Sequence, residues 1–236
     1  MAFSFQPKVV SDGLIFCVDA GNTKSYPGSG TVWSDLSRTQ VTGSLTNGPT
    51  FNTSNGGSIV FDGTNDNVVF SNTLGNNISN ITLEAWVILN RTNITTNVDH
   101  IVSKGNSGDF QYALRVVNVN SNGSVSVLAW QADGNDYTYA NSITPLNDGK
   151  WHHIIGVIQE GVSATLYVDG VSKQTRTTLD GTWNKTGSGS FMIGGRADGA
   201  NYLTGSVASV RVYNRALSAT EVLQNYNALK GRFGLT

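Results

Sequence analysis

The stretch Ala164-Thr165-Leu166-Tyr167-Val168-Asp169-Gly170-Val171-Ser172-Lys173-Gln174-Thr175 decides the fold. Two runs of strand-forming residues flank an Asp-Gly pair. That dipeptide suits a type I′ turn, because both central residues take positive φ and so match the twist of paired strands. The segment therefore reads as an antiparallel hairpin. Asn122-Gly123, ahead of the alternating Ser124-Val125-Ser126-Val127, signals a second one.

Working outward, strand-like runs separated by Gly, Asn and Asp recur along the chain. They are Leu14–Val18, Ser58–Phe61, Asn67–Phe70, Ile81–Leu89, His100–Ser103, Tyr112–Val117 and Ser124–Trp130. Trp151–Gln159, Ala164–Val168, Val171–Thr175, Phe191–Ile193 and Gly205–Tyr213 complete the set. In Val207–Tyr213 the residues Ala208, Val210 and Val212 face one way and Ser209, Arg211 and Tyr213 the other. Trp151–Ile158 is apolar on both faces, as a strand covered on both sides would be. Mostly one-sided burial elsewhere describes two packed sheets. Asn47–Gly57 and Asn72–Asn80 read as loops.

One helix closes the chain. Ser218-Ala219-Thr220-Glu221 is a capping box, with Leu217 and Val222 as the staple around it. Val222, Leu223, Tyr226 and Leu229 then share a face, and Gly231 marks the stop. Neither a linker nor a repeat of fixed period interrupts the pattern. The expectation is one domain over residues 1–236, with a core over about 11–217 and a helix over 218–230.

Composition supports an all-β reading. Only 13% of the residues are charged, against roughly 25% in ordinary globular domains, so Ser, Thr, Asn and Gly must supply the polar surface. A net charge of −1 with scattered Lys and Arg gives no footprint for nucleic acid. Cys17 is the single cysteine, which excludes an intrachain disulfide and reads as a buried small apolar residue. Met1–Lys8 carries no long apolar run, and no stretch approaches the ~20 residues of a membrane span. The expectation is a soluble product that does not use classical secretion.

In order, Leu14–Gly21, Ile59–Gly63, Leu83–Val87, Ile101–Lys104, Trp151-His152-His153, Leu166–Gly170 and Gly205–Ser218 resemble the laminin-G-like members of the concanavalin A-like lectin/glucanase superfamily. The resemblance implies a jelly-roll sandwich of two antiparallel sheets with a short C-terminal helix, a fold often used to bind carbohydrate or protein. Val18–Tyr26 and Asn225–Leu235 resemble structural proteins of tailed bacteriophages, notably those of cyanobacteria. That likeness implies a virion protein, released by host lysis, with other virion proteins as partners.

Catalysis finds no support. Retaining glucanases need two carboxylates about 5–5.5 Å apart, placed at alternate positions of one strand. The three glutamates are Glu84, Glu160 and Glu221, and Trp86 and Ile88 stand where a partner acid for Glu84 would be needed. Adjacent His152 and His153 point to opposite faces of a strand and cannot share a metal.

Calcium is weighed through a likeness to pentraxins, which hold the ion with acidic loops after the strands equivalent to Ile101–Lys104 and Phe191–Gly194. That alignment puts Asp109 and Asp198 at ligand positions, with Asn201 nearby. Arg196 and Ala197 depart from the pattern, replacing a Glu and a Gln. The cofactor expectation is therefore none, or calcium at Asp109 and Asp198.

Sugar binders stack rings on exposed aromatics and orient hydroxyls with Asn or Asp. Asn135, Asp136, Tyr137 and Tyr139 fall in one expected loop, Asn201 and Tyr202 in another, and Trp183 in a third; Trp33, Trp86 and Trp151 read as core. The leading expectation is a non-enzymatic virion structural protein, a capsid decoration or fibre-like accessory, contacting protein or cell-surface glycan. A charge-poor surface suits repeated contact between copies as a homo-oligomer. The rival is a free carbohydrate-binding lectin, calcium-dependent or not.

Overall fold

A computed structural model describes residues 7–71, 74–90, 98–106, 109–117, 124–130, 137–141, 146–177 and 182–236, with the side chains of 129, 130 and 137–139 left aside. Two eight-stranded sheets, every pairing antiparallel, form a sandwich.

The first sheet contains β1 (Leu14–Asp19), β4 (Thr50–Asn52), β5 (Ser58–Asp62), β7 (Asn80–Leu89), β12 (Trp151–Gln159), β13 (Ser163–Val168), β14 (Val171–Arg176) and β16 (Thr204–Tyr213). Its order is β14-β13-β12-β7-β16-β5-β4, and β1 also pairs with β16 beyond the end of β5. The second contains β2 (Val32–Ser34), β3 (Thr42–Thr46), β6 (Asn67–Val69), β8 (Val98–Lys104), β9 (Tyr112–Val117), β10 (Ser124–Trp130), β11 (Tyr137–Asn141) and β15 (Phe191–Ile193). Its order is β11-β10-β9-β8-β15-β6-β3-β2.

The deciding hairpin forms as expected. Asp169 and Gly170 take φ of 52° and 76° between β13 and β14, the left-handed pair a type I′ turn needs. The second hairpin closes at Val117 against Ser124, with its connection 118–123 outside the described residues.

Between the sheets Phe16 packs edge-on against Phe70 and Phe191 at 4.9 and 5.0 Å. Burying each large apolar side chain here contributes roughly 1.5–3 kcal/mol. β12 is covered on both sides. Ile154 and Ile158 enter the inter-sheet core, while Ile155 and Val157 join a cluster on the outer face of the first sheet.

That outer face is covered by the helix α1 (Ala219–Leu229), a 3-10 turn over Lys230–Phe233, and the N-terminal segment. The capping box is present: Ser218 accepts from the Glu221 N–H, and the Glu221 carboxylate accepts from Ser218 N at 2.8 Å. Two details of the expected helix change. Leu223 is 46% exposed, and Asn225 is buried in its stead. The chain also leaves the helical region at Gly234, whose φ is 71°, because the 3-10 turn carries it past Gly231.

Burial under the helix alters a second expectation. Both faces of β16 are buried: Tyr213 reaches Val10 and Asn225 rather than water, and a bulge between Val207 and Ser209 turns Ala208 outward, away from Val210 and Val212, onto Trp86 and Phe233. The expected loop Asn47–Gly57 contains β4, and Cys17 is half-buried rather than buried. No helix among the described residues is long and apolar enough to cross a membrane.

Candidate binding surface

β8, β9, β10 and β11 lie side by side, and directly paired residues share a face. His100 pairs with Arg115, Arg115 with Ser126, and Ser126 with Asn141. The next row runs Met192, Ser103, Ala113, Leu128. Val102, Leu114 and Val127 point into the core, so alternation puts both rows on the outer face of the second sheet. A bulge between His100 and Val102 sends both Ile101 and Val102 inward and leaves His100 beside Arg115.

This face is mostly buried: Ser103, Ala113, Ser126 and Leu128 are 0% exposed and Phe110 6%, so the half-buried Arg115 and Asn141 are what it presents outward. The half-buried Arg115 donates from Nε to Ser126 Oγ at 3.1 Å. Phe110, Ala113 and Leu128 form a small apolar cluster, with the Phe110 ring 5.6 Å from His100. His100 is 1% exposed, and its Nδ1 has no hydrogen-bond partner. Burial, reinforced by the charges of Arg115 and Arg196, pushes this imidazole down to about 3. It is neutral near pH 7 and can both donate and accept.

A turn over residues 194–202 forms the lip of this face. Its two arms bridge at Arg196 and Ala200, His100 N–H donates to Asn201 O at 2.9 Å, and Ser103 Oγ donates to Gly195 O at 2.7 Å. Asn201 sits at φ 59°, a conformation Asn tolerates better than most residues. Tyr202 lies back over the turn: a Cβ on Gly195 would stand 3.1 Å from its ring, and one on Gly199 3.3 Å from its hydroxyl. Of the expected residues, Asn201 therefore meets His100 through its carbonyl and Tyr202 lies on the same turn, both half-buried.

Other expected contacts lie elsewhere. Trp183 is 6% exposed and packs 5.9 Å from Tyr112 in the core, so its ring offers no outward platform. Tyr137 and Tyr139 belong to β11 rather than a loop, with side chains outside the described residues. Asn135 and Asp136 also fall outside them. The row of His100, Arg115 and Ser126 was missed; its one sequence signal is a lone Arg inside the apolar run Tyr112–Val117.

The two candidate calcium ligands do not come together. Asp198 is gripped by Arg196, whose Nε and Nη2 donate to its two oxygens at 2.7 and 2.8 Å, beside His100. Asp109 lies past the other end of β8, whose stretch from His100 to Lys104 alone spans about 13 Å at some 3.3 Å per residue. There it accepts from Asn184 Nδ2 at 2.9 Å and Ser188 Oγ at 3.0 Å. Those hydrogen bonds and the Lys104 charge outweigh burial and hold its carboxyl below the usual range. One ion cannot use both residues. Among the described residues no group of three His, Cys, Asp or Glu is placed to hold a metal.

All three glutamates have structural partners. Glu84, fully buried on the outer face of the first sheet, accepts from Arg211 Nη1 at 2.9 Å and Asn225 Nδ2 at 2.7 Å, with His153 Nε2 at 3.1 Å. Glu160 pairs with Lys185 at 2.6 Å, and Glu221 with Arg215 at 2.6 Å. His152 turns away from its neighbour, its ring nitrogens 2.9 Å from Asp169 and 3.1 Å from Asp148.

A family model described as the concanavalin A-like lectin/glucanases superfamily, of laminin G type, matches residues 62–223. Among solved structures, the binding domain of Paraclostridial Mosquitocidal Protein 1 superposes with a TM-score of 0.72 at 15% identity, over 92% of this chain and 52% of that one. The botulinum neurotoxin serotype D ligand binding domain in complex with N-acetylneuraminic acid gives 0.70 at 14% identity, over 91% and 50%. The botulinum neurotoxin type G receptor binding domain gives 0.66 at 16% identity, over 92% and 51%. The chain spans about half the length of these structures, and likeness at such identities concerns the fold. With two antiparallel sheets, a capped C-terminal helix and a family match over most of its length, the chain belongs to the concanavalin A-like lectin/glucanases superfamily in its laminin-G-like form.

Proposed function

We propose that this chain is a non-enzymatic binding module that contacts glycan through the outer face of its second sheet, carried on a tailed-phage virion as capsid decoration or fibre-like accessory. The observation behind the binding role is the half-buried Arg115, paired with His100, whose backbone N–H holds the turn that carries the half-buried Asn201 and Tyr202. A few polar groups near an aromatic side chain are what orient a small ligand. A structural neighbour, the neurotoxin D domain, is a complex with N-acetylneuraminic acid, which favours sugar over other ligands. The commitment of Glu84, Glu160 and Glu221 to ion pairs argues against glycoside hydrolysis.

The virion role is supported by the two segments that resemble phage structural proteins. Val18–Tyr26 and Asn225–Leu235 meet in the fold through Asp19 and Arg232, so the resemblance concerns one physical unit. Binding is tested on a glycan array with wild type and Arg115→Ala. A retained signal in wild type, lost in the variant, is expected; silence across a broad array ends the glycan reading. Mass spectrometry of purified particles should find many copies. Glycan binding by a protein absent from particles would favour the free lectin.

A further inference from the structure

Gly187-Ser188-Gly189 is held from two sides at the end of β8. Ser188 donates its N–H and its Oγ to Asp109 Oδ2. The carbonyls on either side accept from Lys104 Nζ, Gly189 O at 2.6 Å and Gly187 O at 3.3 Å. The fit is tight: a Cβ on Gly189 would stand 2.5 Å from Gly105 Cα, and one on Gly187 2.9 Å from Asp109 Oδ1. Lys104 is 0% exposed, and so is Gln111, whose amide oxygen and nitrogen have no hydrogen-bond partner.

Two carbonyls and a carboxylate are donor types that a hard cation gathers. Here the positive charge among them belongs to the chain itself. A buried ammonium is costly unless it is paired, so Lys104 is held here by the two carbonyls that accept from it and by the charge of the half-buried Asp109.

We propose that Lys104 is the resident cation of this edge: its ammonium, rather than a metal ion, balances Asp109 and fixes the Gly187-Ser188-Gly189 backbone, so this loop is organised without calcium. The ammonium suits the task at neutral pH, since burial lowers it only to about 8 against the pull of Asp109. The departure from the pentraxin pattern is then coherent, because Arg196 likewise supplies a guanidinium to Asp198.

Three measurements on the full chain test this. Amide NMR spectra in 5 mM CaCl2 and in EDTA should superpose at Gly187, Ser188 and Gly189; saturable calcium-dependent shifts at these amides would overturn the proposal. Reductive dimethylation at pH 7 should modify exposed Lys24, Lys150 and Lys173 and spare Lys104, and labelling of Lys104 as fast as Lys24 would also overturn it. In Lys104→Met, hydrogen exchange at the Ser188 amide should accelerate at least tenfold while the centre of β12 is unchanged. Unaltered Ser188 exchange contradicts the proposal; if the variant does not fold, the two wild-type measurements decide.

Discussion

Arg232 places Nη1 2.8 and 2.9 Å from the two carboxylate oxygens of Asp19, a residue 213 positions earlier. The same guanidinium donates from Nε to Asn55 O at 2.6 Å and from Nη2 to Gly57 O at 2.9 Å. Trp151 Nε1 completes the clasp by donating to Asn55 Oδ1 at 3.2 Å. The C-terminal turn is thus tied to β1, to the segment ahead of β5, and to β12.

Arg232→Ala removes an ion pair and two charge-assisted hydrogen bonds at once. Each such bond contributes about 1.5–3 kcal/mol when fully formed. The site is partly open, so the expected loss is smaller than their sum, about 2–3 kcal/mol. Asp19→Asn should cost less, because Arg232 keeps both carbonyl acceptors. Urea midpoints of the two variants check the ranking, and equal losses would mean the carbonyl bonds contribute nothing.

Glu84 and Arg211 form the buried centre of the first sheet's outer face. Asn225 joins them to the helix, and its Oδ1 accepts from Val10 N at 2.8 Å, which fixes the N-terminal segment. Removing one partner strands a buried charge, so Glu84→Leu and Arg211→Met should each cost about 3–5 kcal/mol. The double variant should recover part of that loss. Chemical denaturation of the four proteins as a double-mutant cycle measures the coupling; strict additivity would show that the pair acts as two separate contacts.

Much of this architecture is readable from the chain, and the unread parts share a cause. Strands with aliphatic alternation, such as β7, β12 and β16, declare themselves because burial demands it. β2, β4 and β11 do not: Val32-Trp33-Ser34, Thr50-Phe51-Asn52 and Tyr137–Asn141 lie at sheet edges, where a single paired neighbour constrains composition less. β3, next to an edge, is built from Thr, Gly, Ser and Leu. Asn201 and Tyr202 were legible as a polar-aromatic turn, whereas the row of His100, Arg115 and Ser126 depends on register across three strands and on a bulge. Trp183 misled because its Gly, Thr and Asn neighbours look like a loop tip, while the indole plugs the core. Leu223 fits the helical period, yet Asn225 displaces it because Glu84 needs a donor.

Acid should destabilise the protein through two buried groups. His100 is held at about 3, below its unfolded value near 6.5. Between those limits the unfolded chain binds a proton that the folded one refuses, so stability falls as pH drops through 6.5. For Glu84, burial would raise the carboxyl, but Arg211 and His153 overcome it and hold it at about 2. Its contribution is complete above about 4.5 and is lost as pH falls toward 2. The slope cannot exceed about 1.4 kcal/mol per pH unit per proton. His100→Gln should flatten stability between pH 6.5 and 4.5 and leave the steeper fall below 4.5; an unchanged profile from pH 7 to 4.5 would remove His100 from this role.

Gly156 lies in the middle of β12, and a Cβ there would stand 2.2 Å from Val127 Cγ2 on the facing sheet. The two sheets approach closely at this point because one of them presents no side chain. Gly156→Ala therefore forces Val127 off its rotamer or pushes the sheets apart, an overpacking that costs roughly 1–3 kcal/mol. Removing the valine methyls opens the space the new methyl requires. Val127→Ala alone should also destabilise, by leaving a void opposite Gly156. The two changes together should cost less than their sum, since each relieves the defect the other makes. Thermal unfolding of both single variants and the double variant decides: compensation places the pair in contact across the sandwich, and simple addition would show that the sheets are separated there.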